Sequence, residues 1–359
     1  MGIVVTGASG FVAGTLVPVL VNAGHDVVAI DRAAPTVFAP TVTHLTCELS
    51  TPSDAVVTAL READAVIHVA GCPGVRDAAP MVAQRRHRDN VAAAQAVAAA
   101  TPLTTPTIVL SSSSVYGGAR ARSSAGLFEE RIIASHEDDR LCARGGYAAS
   151  KIATEQVCRQ RADAGGHVLV VRPFTVLGEG QRSDMAVARW AREARETGAV
   201  TVLGDPARTR DFTDVRDVAR ALAALLDRGP TGTVNLGTGR GQTLAALATA
   251  VSNAVGATPA LRVVPAGEAE VAHTRAHTQR LRSLVGFVPH TDLVDVVARS
   301  VAGPRTSVDA AGNRDVVSDR VGYDRVWGDG GGDRVRDDHV IDDRAINDRV
   351  VDGRVRVGA

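Results

Sequence analysis

Short apolar runs separated by longer mixed stretches set the pattern of this chain. Gly2-Ile3-Val4-Val5 is apolar throughout and brief, as a buried strand would be. Thr6-Gly7-Ala8-Ser9-Gly10-Phe11-Val12-Ala13-Gly14 follows at once, with glycines at 7, 10 and 14, and opens a predicted helix through Leu20 that ends near Gly24. A second apolar run, Asp26 to Ile30, closes on Asp31. Further along, 147–164 is rich in good helix formers (Ala148, Ala149, Ile152, Ala153, Val157) and stops at Gly165-Gly166. Strands alternating with helices predict an α/β fold, a Rossmann-type doubly wound parallel sheet with its ligand at the strands' carboxyl ends.

The glycine turn carries the first chemistry. A glycine-rich loop between a strand and a helix lets backbone approach a pyrophosphate, and the helix start offers free N–H groups and a positive dipole end. Its spacing is G-x-x-G-x-x-x-G rather than the commoner G-x-G-x-x-G. Asp31, at the end of the next strand, would accept hydrogen bonds from an adenosine ribose and repel a 2′-phosphate, which favours NAD over NADP. Arg32 complicates that preference, because an arginine there can accommodate the phosphate.

The second carrier is Tyr147-Ala148-Ala149-Ser150-Lys151. Lys151 is the only lysine in the chain, against thirty-nine arginines. A compact ammonium has been kept where an arginine would be usual, which points to a specific role. Four residues apart on a helix, the phenol and the ammonium share a face. A neighbouring cation lowers a tyrosine pKa, so the phenol can exchange protons with a substrate hydroxyl.

In this order the residues resemble the extended short-chain dehydrogenase/reductase family, in its sugar-nucleotide epimerase and dehydratase branch. The resemblance covers about 1–300. Val66-Ile67-His68-Val69-Ala70-Gly71 resembles the fourth strand and Asp89-Asn90-Val91 the helix start with the family's structural asparagine. Ile108 through Gly117 resembles the fifth strand with its serine turn, and Val170-Val171-Arg172-Pro173-Phe174 the sixth. Arg210 to Val218, Asn235-Leu236-Gly237-Thr238-Gly239 and Gly286-Phe287-Val288-Pro289 match later landmarks.

That resemblance implies Tyr147 as the acid/base and Lys151 as holder of the nicotinamide ribose. It implies Ser112 as the catalytic serine, with Ser111 the obvious mis-assignment. Gly7, Gly10, Phe11, Val12, Asp31 and Lys151 would hold NAD, and Ser112, Thr175 and Arg210 the nucleotide-sugar substrate. Dehydratases of the branch carry Asp-Glu after the catalytic residue; Ser113-Ser114 stand here and argue against dehydration. The expected activity is 4-epimerisation of a UDP-sugar through a transient 4-keto sugar. The alternatives are an NAD(P)-dependent reductase or dehydrogenase of a keto-sugar or other carbonyl, and a non-catalytic dinucleotide sensor. Two departures stand out: Thr175 occupies a usual asparagine position, and no arginine lies in 266–270, so Arg275 or Arg262 is the candidate second phosphate ligand.

The expected organisation is a dinucleotide-binding domain over 1–175, then a substrate lobe over 176–302 interleaved with a segment near 211–250 that returns to the sheet. The family pairs subunits through two helices, here 90–100 and 147–162, so a homodimer is expected. The chain has 359 residues, 45% of them hydrophobic, and zero formal net charge, which gives no footprint for nucleic acid or an acidic membrane. No apolar run is long enough to span a membrane, and a strand beginning at residue 2 leaves no room for a leader, so a cytoplasmic protein is expected. Cys47, Cys72, Cys142 and Cys158 form no C-x-x-C pair and are expected to be reduced thiols. His273 and His277 stand at helix spacing without a third ligand, so no metal is expected. From Gly303 to Ala359 the 57 residues hold 12 Asp, 10 Arg, 11 Val, 9 Gly and no leucine, and are expected to be disordered.

Overall fold

The computed structural model describes residues 1–34, 41–74, 79–123, 130–267, 269–303, 306–308 and 314–316. Seven parallel strands form the central sheet: β1 (Gly2–Thr6), β2 (Asp26–Asp31), β3 (Thr43–Thr46), β4 (Ala65–His68), β5 (Thr107–Leu110), β6 (Val168–Pro173) and β7 (Gly232–Leu236). Their order is β7-β6-β5-β4-β1-β2-β3. Registers such as Val4↔Val28 on one side and Val4↔Val66 on the other place β1 between β2 and β4.

The strands read as continuous apolar runs because helices cover both faces. With a side-chain period of two, Ile3, Val5 and Ile67 point into one layer while Val4 and Val66 point into the other. The first layer is filled by α1 (Phe11–Asn22), α7 (Val215–Arg228) and α9 (Gln279–Val285) through Leu16, Leu20, Leu222, Leu225 and Leu281. Opposite, α2 (Asp54–Glu62) and α4 (Ala93–Ala100) contribute Val56, Leu60, Ala93 and Val97, and α5 (Gly146–Asp163) contributes Cys158. The helix feeding α4 starts as α3 (Val82–Arg86) and passes through a π-helical turn, His87–Ala92.

A second core lies outside this sandwich. It is built by α6 (Ala186–Thr197), α8 (Leu244–Ala254) and α10 (Leu293–Ala302), around Trp190, Phe212, Leu247 and Val296. The short parallel pair Val200–Leu203 and Leu261–Val264 adds Val200 and Val202, and Trp190 Nε1 donates to the Thr201 carbonyl at 2.8 Å. Within 211–250, α7 and β7 join the main sandwich, whereas α8 packs in the second core. Asp211, fully buried, accepts bonds from Thr238 N, Thr238 Oγ1, Gly239 N and Ala276 N and so stitches the returning chain to later segments.

Beyond α10 the structure describes Gly303 and a small antiparallel pair, Thr306–Val308 with Arg314–Val316. The rest of the tail, on which the expectation of disorder falls, lies outside the described residues. Among the described residues no helix is long and apolar enough to cross a membrane.

Candidate active site

Strand order reverses direction at β1 and β4, and the crevice beyond their carboxyl ends is where such sheets bind ligands. At the end of β1 the chain turns sharply: Gly7 N and Ala8 N both donate to the Ile30 carbonyl, at 2.8 and 3.2 Å. Gly7 has φ +71, and a Cβ there would lie 2.5 Å from Ala70 Cα. Only glycine fits so close to the β4 exit. Gly10 caps α1 without any side-chain bond, so the first-turn N–H groups at Phe11 and Val12 face the crevice unmatched by a cap. Gly14 has no such constraint, since nothing lies within 4 Å of a Cβ placed there. Asp31 accepts from Ser9 N (3.1 Å) and Ala33 N (3.0 Å) and keeps lone pairs for further donors.

The β4 exit is held by Asn90 on the π-turn. Its Oδ1 accepts from Cys72 N at 2.6 Å, and its Nδ2 donates to Cys72 O (3.2 Å) and Ser150 Oγ (2.8 Å). A Cβ on Gly71 would strike Asn90 Oδ1 at 2.7 Å, so this turn too requires glycine. One side chain therefore fixes the turn after β4 against α5, between Tyr147 and Lys151.

Beyond β5 the two neighbouring serines diverge. Ser111 is buried and donates to Glu155 Oε1 at 2.5 Å, and Arg172 grips the same carboxylate through Nε (2.9 Å) and Nη2 (2.7 Å). Ser112 caps the following 3₁₀ turn, accepting from Ser114 N at 3.2 Å, and lines the cleft together with Tyr147. Tyr147 lies in the first turn of α5 and Lys151 one turn on.

The expected lowering of the phenol pKa by Lys151 is not met. Burial pushes the Tyr147 hydroxyl up, more than the Ser112 hydroxyl and the Arg182 charge pull it down. The buried Lys151 ammonium donates instead to the Leu110 carbonyl at 2.8 Å and is itself pushed down to about 8 by burial. Each group, withdrawn from water, is held toward its neutral form. Behind them, burial and then the Lys151 charge push the His68 imidazole down to about 3; its Nδ1 shares a 2.7 Å bond with Thr6 Oγ1.

These elements open onto one cleft of about 890 Å³ between the sandwich and the second core. Gly7, Gly10, Phe11, Val12, Asp31, Ser112, Tyr147, Lys151, Thr175 and Arg210 all line it. Thr175 begins a short strand, Thr175–Leu177, that pairs in parallel with Phe212–Asp214. The Arg210 guanidinium donates to the carbonyls of Thr209, Val271 and Ala272 and reaches Glu270 at 3.4 Å. Asp214 caps α7 and pairs with Arg299, and Asp217 pairs with Arg220.

Arg275 and Arg262, the candidate second phosphate arginines, do not line the cleft. Arg275 donates to the Gly239 carbonyl at 2.8 Å, and Arg262 lies exposed on its strand. The cleft instead presents Arg144, Arg182 and Arg189. No motif marks these three: Arg144 comes from the loop before α5, and Arg182 and Arg189 from a loop and helix of the second lobe. Ser113 and Ser114 also line the cleft.

His273 and His277 do not share a helix. His273 bonds Thr209 Oγ1 at 2.9 Å, and His277 stacks on His136 with ring centroids 3.7 Å apart. No group of three potential metal ligands occurs among the described residues, and all four cysteines are free.

Residues 3–237 match the model of the NAD dependent epimerase/dehydratase family. The chain belongs to this NAD-dependent enzyme family. It is 27% identical over 319 residues to a Bacillus subtilis (strain 168) protein described as an uncharacterised UDP-glucose epimerase, spanning 84% of this chain and 97% of that one. A UDP-glucose 4-epimerase of Mycolicibacterium smegmatis is 29% identical over 322 residues, with 84% and 97% covered. Among solved structures, MoeE5 in complex with UDP-glucuronic acid and NAD superposes with a TM-score of 0.72 at 31% identity, covering 84% of this chain and 98% of that one. The cleft suits NAD on its own terms: a Cβ-intolerant turn, an uncapped helix start and an acid with spare lone pairs converge at one end.

Proposed function

We propose that this protein is an NAD-dependent 4-epimerase of a UDP-sugar. What carries the reading is the juxtaposition of Ser112 and Tyr147 at the middle of the cleft, with Ser113 and Ser114 in place of the acidic pair that dehydration needs. Gly7, Gly10, Phe11, Val12 and Asp31 hold the dinucleotide, and Lys151 its nicotinamide ribose. When bound, NAD supplies the hydride acceptor and donor. Tyr147 removes the proton of the sugar 4-hydroxyl as C4 becomes a ketone, and gives it back after the keto sugar has turned over. Ser112 holds the same oxygen and stabilises the phenolate against the burial that opposes it. Thr175 and Arg210 hold the nucleotide diphosphate at the other end, so only the sugar turns.

The reading extends to a cytoplasmic homodimer. Support for the pairing surface is that α4 and α5 lie side by side, with Arg161 donating to the Ala98 carbonyl at 3.1 Å. The test is incubation of the purified protein with UDP-glucose and with UDP-glucuronate, read by proton NMR. The 4-epimer of one of them is expected; a 4,6-dehydrated sugar or no turnover of either contradicts the reading.

A further inference from the structure

Arg32 follows Asp31 directly, at the place where an arginine can receive the 2′-phosphate of NADP. Its guanidinium is already engaged. Nη1 and Nη2 meet the two oxygens of Asp89 at 3.2 and 2.8 Å, a fork-to-fork pair, and Nη1 also reaches Glu48 at 3.4 Å. Bidentate arginine–carboxylate pairs are among the stronger and more directional polar contacts. Asp89 is only 4% exposed, whereas half of the Arg32 side chain is accessible. The carboxylate is therefore the fixed partner and the guanidinium the captured one.

Asp89 is fixed by the element that carries it. It lies on the π-turn beside Asn90, whose three bonds anchor that turn to the β4 exit and α5. π-turns occur often at functional positions. Arg88 donates to the same carboxylate at 2.7 Å and lies 3.6 Å from Glu48. Burial raises the Asp89 carboxyl, but the hydrogen bonds from Arg88 and Arg32 more than offset it and keep the group ionised. Asp31, Arg32, Glu48 and Asp89 all line the cofactor end of the cleft. With Arg88 the cluster sums to three carboxylates and two guanidiniums, one net negative charge where a 2′-phosphate would arrive.

We propose that Asp89 is a specificity-determining residue for the dinucleotide: it holds Arg32 in a bidentate pair and so withholds it from a 2′-phosphate. The inference rests on the NAD-binding reading of this cleft. Asp31 alone would discriminate by repulsion; Asp89 engages a cation positioned to offset that repulsion. Asp89 touches no reacting atom and acts through Arg32.

The test is binding of NAD and of NADP to the nucleotide-stripped full chain by calorimetry, for the wild type, Asp89→Asn, Arg32→Ala and the double variant. Asp89→Asn is expected to tighten NADP about tenfold, the scale of one hydrogen bond to a charged group, with NAD changed by less than about threefold. In the Arg32→Ala background the same substitution should leave NADP affinity unchanged. Equal relaxation in that background would show that Asp89 acts by direct repulsion, and would overturn the proposal. A merely structural role would weaken both dinucleotides together and leave their ratio fixed, which also overturns it. Should Asp89→Asn fail to fold, Arg32→Ala decides alone: an unchanged NADP-to-NAD ratio supports sequestration, and a marked loss of NADP affinity overturns it. Failure of the wild type to bind either dinucleotide overturns both this proposal and the cofactor reading, whereas tight NAD binding without the predicted shifts overturns the proposal alone.

Discussion

The two ends of the cleft are made by different means. The cofactor end comes mostly from one stretch, Gly7 to Arg32, in which turn, helix start and acid follow in order along a single β-α-β unit. The proposed substrate end is gathered from Thr175, the loop with Arg182, the helix with Arg189, Arg210 and the segment 269–274. At the first end, geometry is set by backbone: a positive φ, a Cβ-free contact and two N–H groups on one carbonyl. At the second it is set by side chains that long-range packing brings together. A locally encoded site tolerates little change in its sequence, whereas a gathered one can exchange residues without losing its shape.

That contrast gives an order of sensitivity. Largest is the seam between the ends: Tyr147→Phe deletes one oxygen and little volume, and turnover should fall roughly 10²–10⁴-fold. Cofactor content, measured by absorbance of the denatured supernatant, should be unchanged. A loss below tenfold would remove Tyr147 from its role.

Next is the local end. Gly7→Ala must place an L residue at φ +71 with its Cβ 2.5 Å from Ala70 Cα. Strain of about 1–3 kcal/mol is expected at such a position, so NAD affinity should fall about tenfold to a hundredfold by titration. Undiminished affinity would show that the turn is not the cradle.

The gathered end should respond more selectively. Arg210→Ala removes a charged donor, and KM for the nucleotide sugar should rise about tenfold or more while NAD affinity holds. Because Arg210 also ties down 270–272, an equal loss of NAD binding would mark it as structural only. Stability has a smaller, pH-linked signature. The folded protein keeps His68 neutral down to about pH 3, while the unfolded chain takes up that proton near 6.5. The unfolded state thus binds more protons between these values, and stability falls as pH drops through them, by at most about 1.4 kcal/mol per unit from this group. His68→Gln should flatten that part of a denaturation–pH profile; an unchanged slope contradicts the assignment.

How much of this was legible follows the same division. The parallel sheet and the Gly7-to-Asp31 unit were readable because their signals are local: short apolar runs, glycine spacing, an acid at a strand end. Tyr147 and Lys151 were placed on one helix by its helix-forming residues and on one face by their spacing, yet their protonation was misjudged, since a pKa depends on burial that spacing does not report. Arg275 and Arg262 were wrong candidates because charge type was visible and direction was not. Arg182 and Arg189 were missed for the complementary reason: they occupy the cleft only after the second lobe has folded over it, and Arg144 because no pattern marks the loop before α5. Asn90 was recognised by resemblance; its three-way anchoring required the fold.

The central claim is that hydride leaves and returns to the same carbon inside one closed cleft. A UDP-sugar carrying deuterium at C4 and carbon-13 through the rest of the sugar, mixed with unlabelled UDP-sugar and the purified protein without added NAD, tests it through the mass spectrum of the epimer. The account predicts an epimer that keeps its deuterium at C4, without scrambling into the unlabelled pool. Loss of the label to solvent, or a requirement for stoichiometric added cofactor with no epimer formed, would contradict it.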